Sequence, residues 1–468
     1  MESAKQLGEG KISSLIIKFS APAIVGMVVT SIYNVVDRIY VAKGVGPLGL
    51  AGVTLGFPIM MLVMALTSLV SIGATAIISI RLGEKAQDEA EKVLGNAIVL
   101  LFVLSLIITF LGLLFLEPLL IAFGASEDIL PYAKAYMRII FAGIISQIYS
   151  LGMANYIRAE GDPKTSMFSM LIGALINIVF DPILIFGFNM GVAGAAIATV
   201  LSQIVSACWL ASRYLCGKSL LKIRPQYFRL SWPRVLHILT VGTPAFFKQI
   251  STSLTVLILN HSLQTYGGDM AISAFGVVHS VNTLVMMPIF GISQGIQPIV
   301  GYNYGARQYE RVKKTLYWGI FLASCFTVAG FLLIVLSPER FVLLFSEHGS
   351  DLMALAVNAM RINLSLLPVL GFTIVSANYF QAVGKPRQAV VLNLIRQVFL
   401  IVPLTYLLPR YVVPGLDGVW MAAPTSDGIS TLLTAGAIFL EVRHLNKMEH
   451  DEQNGTGELE RAAALAGK

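Results

Sequence analysis

ANYIRAEGDP (154–163) returns 223 residues later as ANYFQAVGKP (377–386). SIGATAIISIRLGEKAQDEAEKVLGNA (71–97) aligns in a similar way with SQGIQPIVGYNYGARQYERVKKTLYWG (293–319). This register pairs Gly73 with Gly295, Gly83 with Gly305, Lys92 with Lys314 and Pro22 with Pro244. One residue out of step, Met137-Arg138 meets Met360-Arg361; later, Gly191 meets Gly418 and Thr199 meets Ser426. Chance similarity between apolar segments matches Leu with Ile. It does not repeat Asn-Tyr, Gly and Pro over several segments. The chain is an internal duplication.

Hydrophobic residues make up 56% of the 468 and charged residues 13%, against roughly 25% charged in a soluble domain. Apolar blocks of the roughly 20 residues that a spanning helix needs recur from 14 to 442. We read spans at 14–42, 49–80, 93–117, 131–157, 165–187, 191–213, 234–265, 270–301, 315–336, 353–382, 388–409 and 417–442. The fold class expected is an all-α polytopic membrane protein with two six-helix bundles, 1–213 and 234–442. A basic linker, 214–233, joins them, and a poorly ordered tail, 443–468, follows. A β-barrel would instead show alternating segments of about 10 residues. Each half has an even number of spans, so both keep one orientation. That is a parallel repeat about an axis along the membrane normal, found in transporters with a site between the halves.

Basic residues gather in alternate loops: Arg81, Lys85 and Lys92; Arg158 and Lys164; Arg213, Lys218, Lys222, Arg224, Arg229 and Arg234; Arg307, Arg311, Lys313 and Lys314; Lys385 and Arg387. The positive-inside rule puts these loops and both termini in the cytoplasm. We expect an inner or plasma membrane protein without a cleaved signal peptide. The net charge of +7 fits basic loops against anionic lipid rather than nucleic acid. Cys208, Cys216 and Cys325 form no CxxC pair, and the first and last, lying in apolar runs, read as buried thiols. The sequence holds no Walker lysine loop, HExxH or GxSxG. ATP-driven export and hydrolytic chemistry are unsupported, and neither an enzyme nor a resident cofactor is expected. Transport would draw on an ion gradient or be passive.

Acids deep in spans are costly and are functional candidates by default. Asp37, in span one, and Asp181, in span five, read as the two such acids, with the acid cluster confined to the first half. Both lie roughly 11–12 Å below the outer helix ends at 1.5 Å per residue. Thr199, in span six, reaches similar depth, and Asn177 precedes Asp181 by four residues on the same helix face. These oxygens suit a proton or a hard cation such as Na⁺, because two adjacent carboxylates in low dielectric cannot both stay ionised and unpartnered. The alternative for Asp37 is a pair with Arg38 or a helix-end cap.

At the aligned positions the second half has Leu259 and an apolar stretch near Leu404. Lys248, beside Gln249, stands out there; it either lines a cavity or snorkels to the cytoplasmic surface. Arg138 and Arg361 read as structural, and His279 as a packing or cavity residue. Pro22 removes a hydrogen bond inside span one, about four turns from Asp37, and is a hinge candidate.

YNVVDRIYVAKGVGPLGLAGV (33–53), RAEGDPKTSMF (158–168), NIVFDPILIFGFNMGVAGAAIAT (177–199), ISQGIQPIVGYNYGA (292–306), QAVGKPRQA (381–389) and GVWMAAPTSD (418–427) resemble the multidrug and toxic-compound extrusion (MATE) family, in its DinF-like and MepA-like branch. The resemblance covers nearly the whole chain. It implies two bundles forming a V and rocking antiport, in which H⁺ or Na⁺ enters and an organic, cationic amphipathic compound leaves. It places the ion site on Asp37, Asn177, Asp181 and Thr199. Tyr33 and Asn34, within a turn of Asp37, and Gln203, a turn beyond Thr199, are cavity candidates with Lys248 and Gln249. A second-bundle sodium route is not expected. H⁺ is the preferred driver, with Na⁺ able to bind the same oxygens. The expected partners are small organic molecules and the bilayer, and the expected state is a monomer. The alternative is a lipid-linked precursor flippase of the same superfamily.

Overall fold

The repeated RAEGDP and QAVGKP segments are helix junctions. Gly161 (φ 100°) and Gly384 (φ 72°) take the left-handed conformation that ends a helix. Pro163 and Pro386 open the next helix, where the N–H that proline lacks would be unbonded anyway. Asp162 caps the first of these helices by accepting from the Thr165 N–H at 3.1 Å.

The structure, a computed structural model, describes residues 2–217, 219–343 and 351–466, with side chains for 6–217, 219–343 and 351–452. Lys218 lies outside the described residues. Among them, every regular element is helical. The first half holds α1 (Glu2–Glu9), α2 (Ile12–Val45), α3 (Pro47–Leu55), α4 (Phe57–Gly83), α5 (Gln87–Leu114), α6 (Leu116–Ala122), α7 (Leu130–Ala159), α8 (Pro163–Pro182) and α9 (Gly191–Leu215). The second holds α10 (Trp232–Gly305), α11 (Tyr309–Leu336), α12 (Pro338–Val342), α13 (Asp351–Asn363), α14 (Leu367–Ala382), α15 (Pro386–Leu394), α16 (Ile401–Leu407) and α17 (Leu416–Ala466). Wider π-helical turns follow α8 (Ile183–Gly187), α15 (Ile395–Leu400) and α16 (Leu408–Val412).

Nine helical stretches among the described residues are long and apolar enough to cross a membrane, or ten with α13 and α14, bent by 52°, as one crossing. The 74 residues of α10 would make a rod of about 110 Å. Instead the helix breaks at Gly268 (φ 64°). Its two ends both return to α4, Ile238–Gly242 packing on Leu69–Gly73 and Tyr302–Gly305 on Ile80–Gly83, so it is a hairpin of two spans. The start of α17 falls where the sequence places span twelve, but α17 is not among these stretches. α17 runs on to Ala466. Cys208 and Cys325 are exposed, contrary to the buried-thiol expectation. An apolar run in a membrane helix has a lipid-facing side, so apolar context does not imply a protein interior.

The halves meet near the end that carries the basic loops, here the basic face. A Cβ on Gly83 would lie 1.9 Å from the Tyr302 carbonyl oxygen, and one on Gly305 would lie 2.1 Å from that of Ile80. These contacts exchange under the repeat, since 83 aligns with 305 and 80 with 302. A second exchanged set puts Gly73 against Gly242 and Gly295 against Ser20. The joint is therefore pseudo-twofold, and glycine permits backbone contact at it. Leu15, Ile16 and Phe19 of α2 pack in the second half's core, while Ile238 and Val241 of α10 pack in the first's.

Arg158 Nη1 donates across the joint to Gln294 Oε1 at 2.5 Å. α1 also crosses it: Asn303 and Arg311 each donate to the Leu7 carbonyl at 3.0 Å. Farther from the basic face, Ser31 donates to the Met287 sulfur at 2.9 Å and Gln249 to the Met61 sulfur at 2.7 Å across the bundles.

The basic linker lies on the acidic start of α5. Arg224 Nε pairs with Glu91 at 2.8 Å, and Asn96 Oδ1 accepts from the Ser231 N–H at 2.9 Å. Glu160, just past α7, accepts from Tyr214 Oη at 2.7 Å, from the Leu220 N–H at 3.0 Å and from Ser219. Burial still outweighs these bonds and pushes its carboxyl up to about 7.

Candidate functional site

In the first bundle, α8 and α9 hold an oxygen cluster against α2. Asn177 and Asp181, one turn apart on α8, are both 0% exposed, and Asp37 on α2 is 8% exposed. Asn177 Nδ2 donates to Asp181 Oδ1 at 3.3 Å and to Thr199 Oγ1 at 3.4 Å. That use of the amide turns the Asn177 carbonyl oxygen away. Asp37 Oδ1, Asp181 Oδ2 and Asn177 Oδ1 are all buried without a hydrogen-bond partner. Tyr33 and Tyr136 lie within electrostatic range of both carboxylates. Arg38 forms no ion pair with Asp37 among the described residues; its guanidinium sits 5.8 Å above the Phe57 ring.

The sequence-selected quartet is thus brought together. Its net character is two carboxylates without a paired base, plus an amide and a hydroxyl oxygen. Three orphaned buried oxygens are costly unless a proton or cation occupies the site. Among the described residues no group of three or more His, Cys, Asp or Glu converges as a metal cluster.

Of the cavity candidates, Asn34 is exposed and bonds the Thr30 carbonyl at 2.8 Å. Gln203 is half-buried on α9, and Gln249 reaches Met61 at the joint. Lys248 is half-buried, with its ammonium 4.9 Å from the centre of the Phe290 ring. It lies some 24 Å along the helix from Trp232, too far for its stem to span. Pro22 lies inside α2, which is assigned as helix throughout Ile12–Val45.

A second polar cluster corrects the expectation that intramembrane acids are confined to the first half. Asp427, on the apolar stretch of α17, is 4% exposed and accepts from Arg396 Nε at 2.7 Å. Arg396 sits in the π-helical turn after α15, and its carbonyl accepts from Ser426 Oγ at 2.9 Å. Such turns gather at functional positions. Asp427 closes the quoted motif GVWMAAPTSD, so a scan of every apolar span for single charges finds it. Tyr136 and the cross-joint Arg158–Gln294 bond left no comparable sequence signal.

A duplicated helical membrane protein with two unpartnered acids buried inside one half has the architecture of a secondary transporter. The MatE family description matches residues 22–183 and 244–407, one block in each half, and the chain belongs to that family. It is 26% identical over 449 residues to multidrug export protein MepA of Staphylococcus haemolyticus, covering 95% of this chain and 96% of that one. It is 25% identical to MepA of Staphylococcus aureus over 422 residues, 90% of this chain and 92% of that one. Among solved structures, a multidrug resistance MATE transporter in the outward-facing conformation superposes with a TM-score of 0.89 at 28% identity, covering 94% of this chain and 98% of that one. A MATE in the bent conformation gives 0.90 at 27% identity, covering 96% and 99%.

Proposed function

We propose that this protein is a secondary antiporter that exports organic compounds, coupling their exit to entry of H⁺ at the Asp37, Asn177, Asp181 and Thr199 cluster, with Na⁺ a competitor for the same oxygens. One observation carries this: the three buried, unpartnered oxygens of Asp37, Asp181 and Asn177. An ion shifts a conformational equilibrium only by binding one state better than the other. The cluster provides that difference, because occupancy neutralises carboxylates that are otherwise buried against each other. The family membership and the names of the relatives support multidrug cargo. The basic face is then cytoplasmic. Tyr33, Asn34, Gln203, Lys248 and Gln249 flank the cargo path, and Pro22 is the place where α2 bends when the site loads.

The test is efflux of a fluorescent cationic dye from preloaded vesicles carrying the reconstituted protein, with pH and Na⁺ gradients imposed separately. Efflux driven by a proton gradient alone, and lost to background in Asp37→Asn, is the expected result. Efflux that requires Na⁺ would replace the proton as driver. Full efflux by Asp37→Asn would remove the site assignment.

A further inference from the structure

In each half, the segment after the sixth span folds back on the start of the third. In the first half this is the linker, whose Arg224 pairs with Glu91 of α5 at 2.8 Å. In the second it is the continuation of α17, whose Glu449 pairs with Lys313 of α11 at 2.6 Å. Glu91 and Lys313 are aligned positions of the repeat, in the register that pairs Lys92 with Lys314. The two halves share the contact with its sign reversed. A basic segment lies on an acidic helix start in one, and an acidic segment on a basic start in the other.

The continuation of α17 docks through one face. Glu441 and Leu445 are buried, Met448 packs against the second half's core, and Glu449 and Glu452 are half-buried. Residues 443–444 and 446–447 between them are exposed. That spacing is the face of a helix lying on a surface. Its acids hold three different places. Glu441 accepts from Lys385, at the α14–α15 junction, through both oxygens at 2.7 Å. Glu449 holds Lys313, which also donates to Asn446 Oδ1 at 2.7 Å. Glu452 stands 3.9 Å from Arg307, in the turn between α10 and α11.

The last of these places belongs to the joint. Arg307 follows by two residues the Gly305 that abuts the Ile80 carbonyl of α4. With Lys85, just past α4, it lines a cavity of about 670 Å³ on the basic face. Lys85 and Arg307 are also aligned positions, and both take the same left-handed backbone (φ 58°). The docked segment thus ties the α10–α11 corner, which makes the joint, to the α14–α15 junction.

We propose that Glu441–Glu452 of α17 is a latch. While docked, it holds the α10–α11 corner against the end of α4 and keeps the basic face closed; its release lets that face open. Glu441, buried and held through both oxygens, is the fixed end. Glu449 and Glu452 are the releasable end. The Glu449–Lys313 pair, with side chains 27% and 17% exposed, is strong enough to bias an equilibrium and weak enough to break within a working cycle. The effect of the latch on turnover rests on the export reading above; the latch itself does not.

The experiment uses the full chain in lipid nanodiscs, with Cys208, Cys216 and Cys325 replaced by Ser and one reporter cysteine added. Met448→Cys reports docking. Ser79→Cys, on a buried residue that faces Gly301 across the joint, reports opening of the basic face. Glu449→Lys and Lys313→Glu are each expected to raise maleimide labelling at both reporters about fivefold, the upper end for a partly exposed pair. The double variant Lys313→Glu/Glu449→Lys should restore both rates. Unchanged labelling at 79 in both single variants, or a rise at 448 without one at 79, overturns the latch. If the charge variants fail to insert, salt decides on the otherwise wild-type chain. Labelling at 79 should quicken from about 0.01 M to about 1 M salt, as the screening length falls from about 30 Å to about 3 Å; a salt-independent rate overturns the proposal. Labelling needs neither cargo nor gradient, so a protein that exports no dye overturns the export reading and leaves the latch standing.

Discussion

The polar cluster of the first bundle and that of the second occupy equivalent helices, yet only one is internally satisfied. Asp427 has its guanidinium partner at 2.7 Å. Asp37 and Asp181 have each other and an amide, with oxygens left over. A paired buried charge holds a structure in one arrangement, because separating the partners is expensive. Unpaired acids depend on whatever proton or ion arrives. Duplication supplied two copies of a scaffold; one copy became a fixed strut and the other a variable load.

The contrast is sharpest in stability. Asp427→Asn strands the Arg396 charge and should cost about 3–5 kcal/mol, read as a fall in the thermal midpoint of the detergent-solubilised protein. Asp181→Asn removes a carboxylate with an orphaned oxygen, so the midpoint should stay or rise even as coupled efflux is lost. A comparable loss of stability in both variants would erase the distinction between strut and load.

A smaller effect belongs to Glu160 at the linker. Its folded-state value, about 7, stands above the ordinary 4.5. Its contribution is therefore fully present below pH 4.5 and is lost as pH rises through 7. The size is about 3 kcal/mol or less. Amide exchange at residues 219–221 should quicken across that window in the wild type and lose this pH dependence in Glu160→Gln. An unchanged pH profile in the variant would assign the dependence to another group.

The smallest effect tests the symmetry itself. Gly83→Ala and Gly305→Ala each push a methyl into a carbonyl across the joint, which should cost the closed basic face about 1–3 kcal/mol. Thiol labelling of cysteines placed along the joint should increase equally in the two variants. Unequal increases would show that the twofold relation of the backbone does not extend to its energetics.

Much of this was readable beforehand, for identifiable reasons. Repeated Gly and Pro mark turns whose backbone demands those residues, so the duplication was visible without a structure. Asp37 and Asp181 stood out because acids in long apolar runs are rare. Asp427 does not stand out in the same way, because AAPTSDGIS is a polar patch within span twelve and not a solid apolar run. Arg396 was passed over because basic residues were used as markers of loops. The repeated glycines were read as signs of duplication, although their work is done across the joint; sequence spacing along one helix carries no information about which backbone it touches. The linker's seat on α5 was invisible for the same reason.

The exchanged helix ends at the basic face carry one more consequence. Leu15, Ile16 and Phe19 complete the interior of the opposite half, and Ile238 and Val241 return the exchange. A six-helix half made alone would expose the arm it lends and lack the arm it borrows. Either half expressed alone would therefore fold only by borrowing that arm from a second copy.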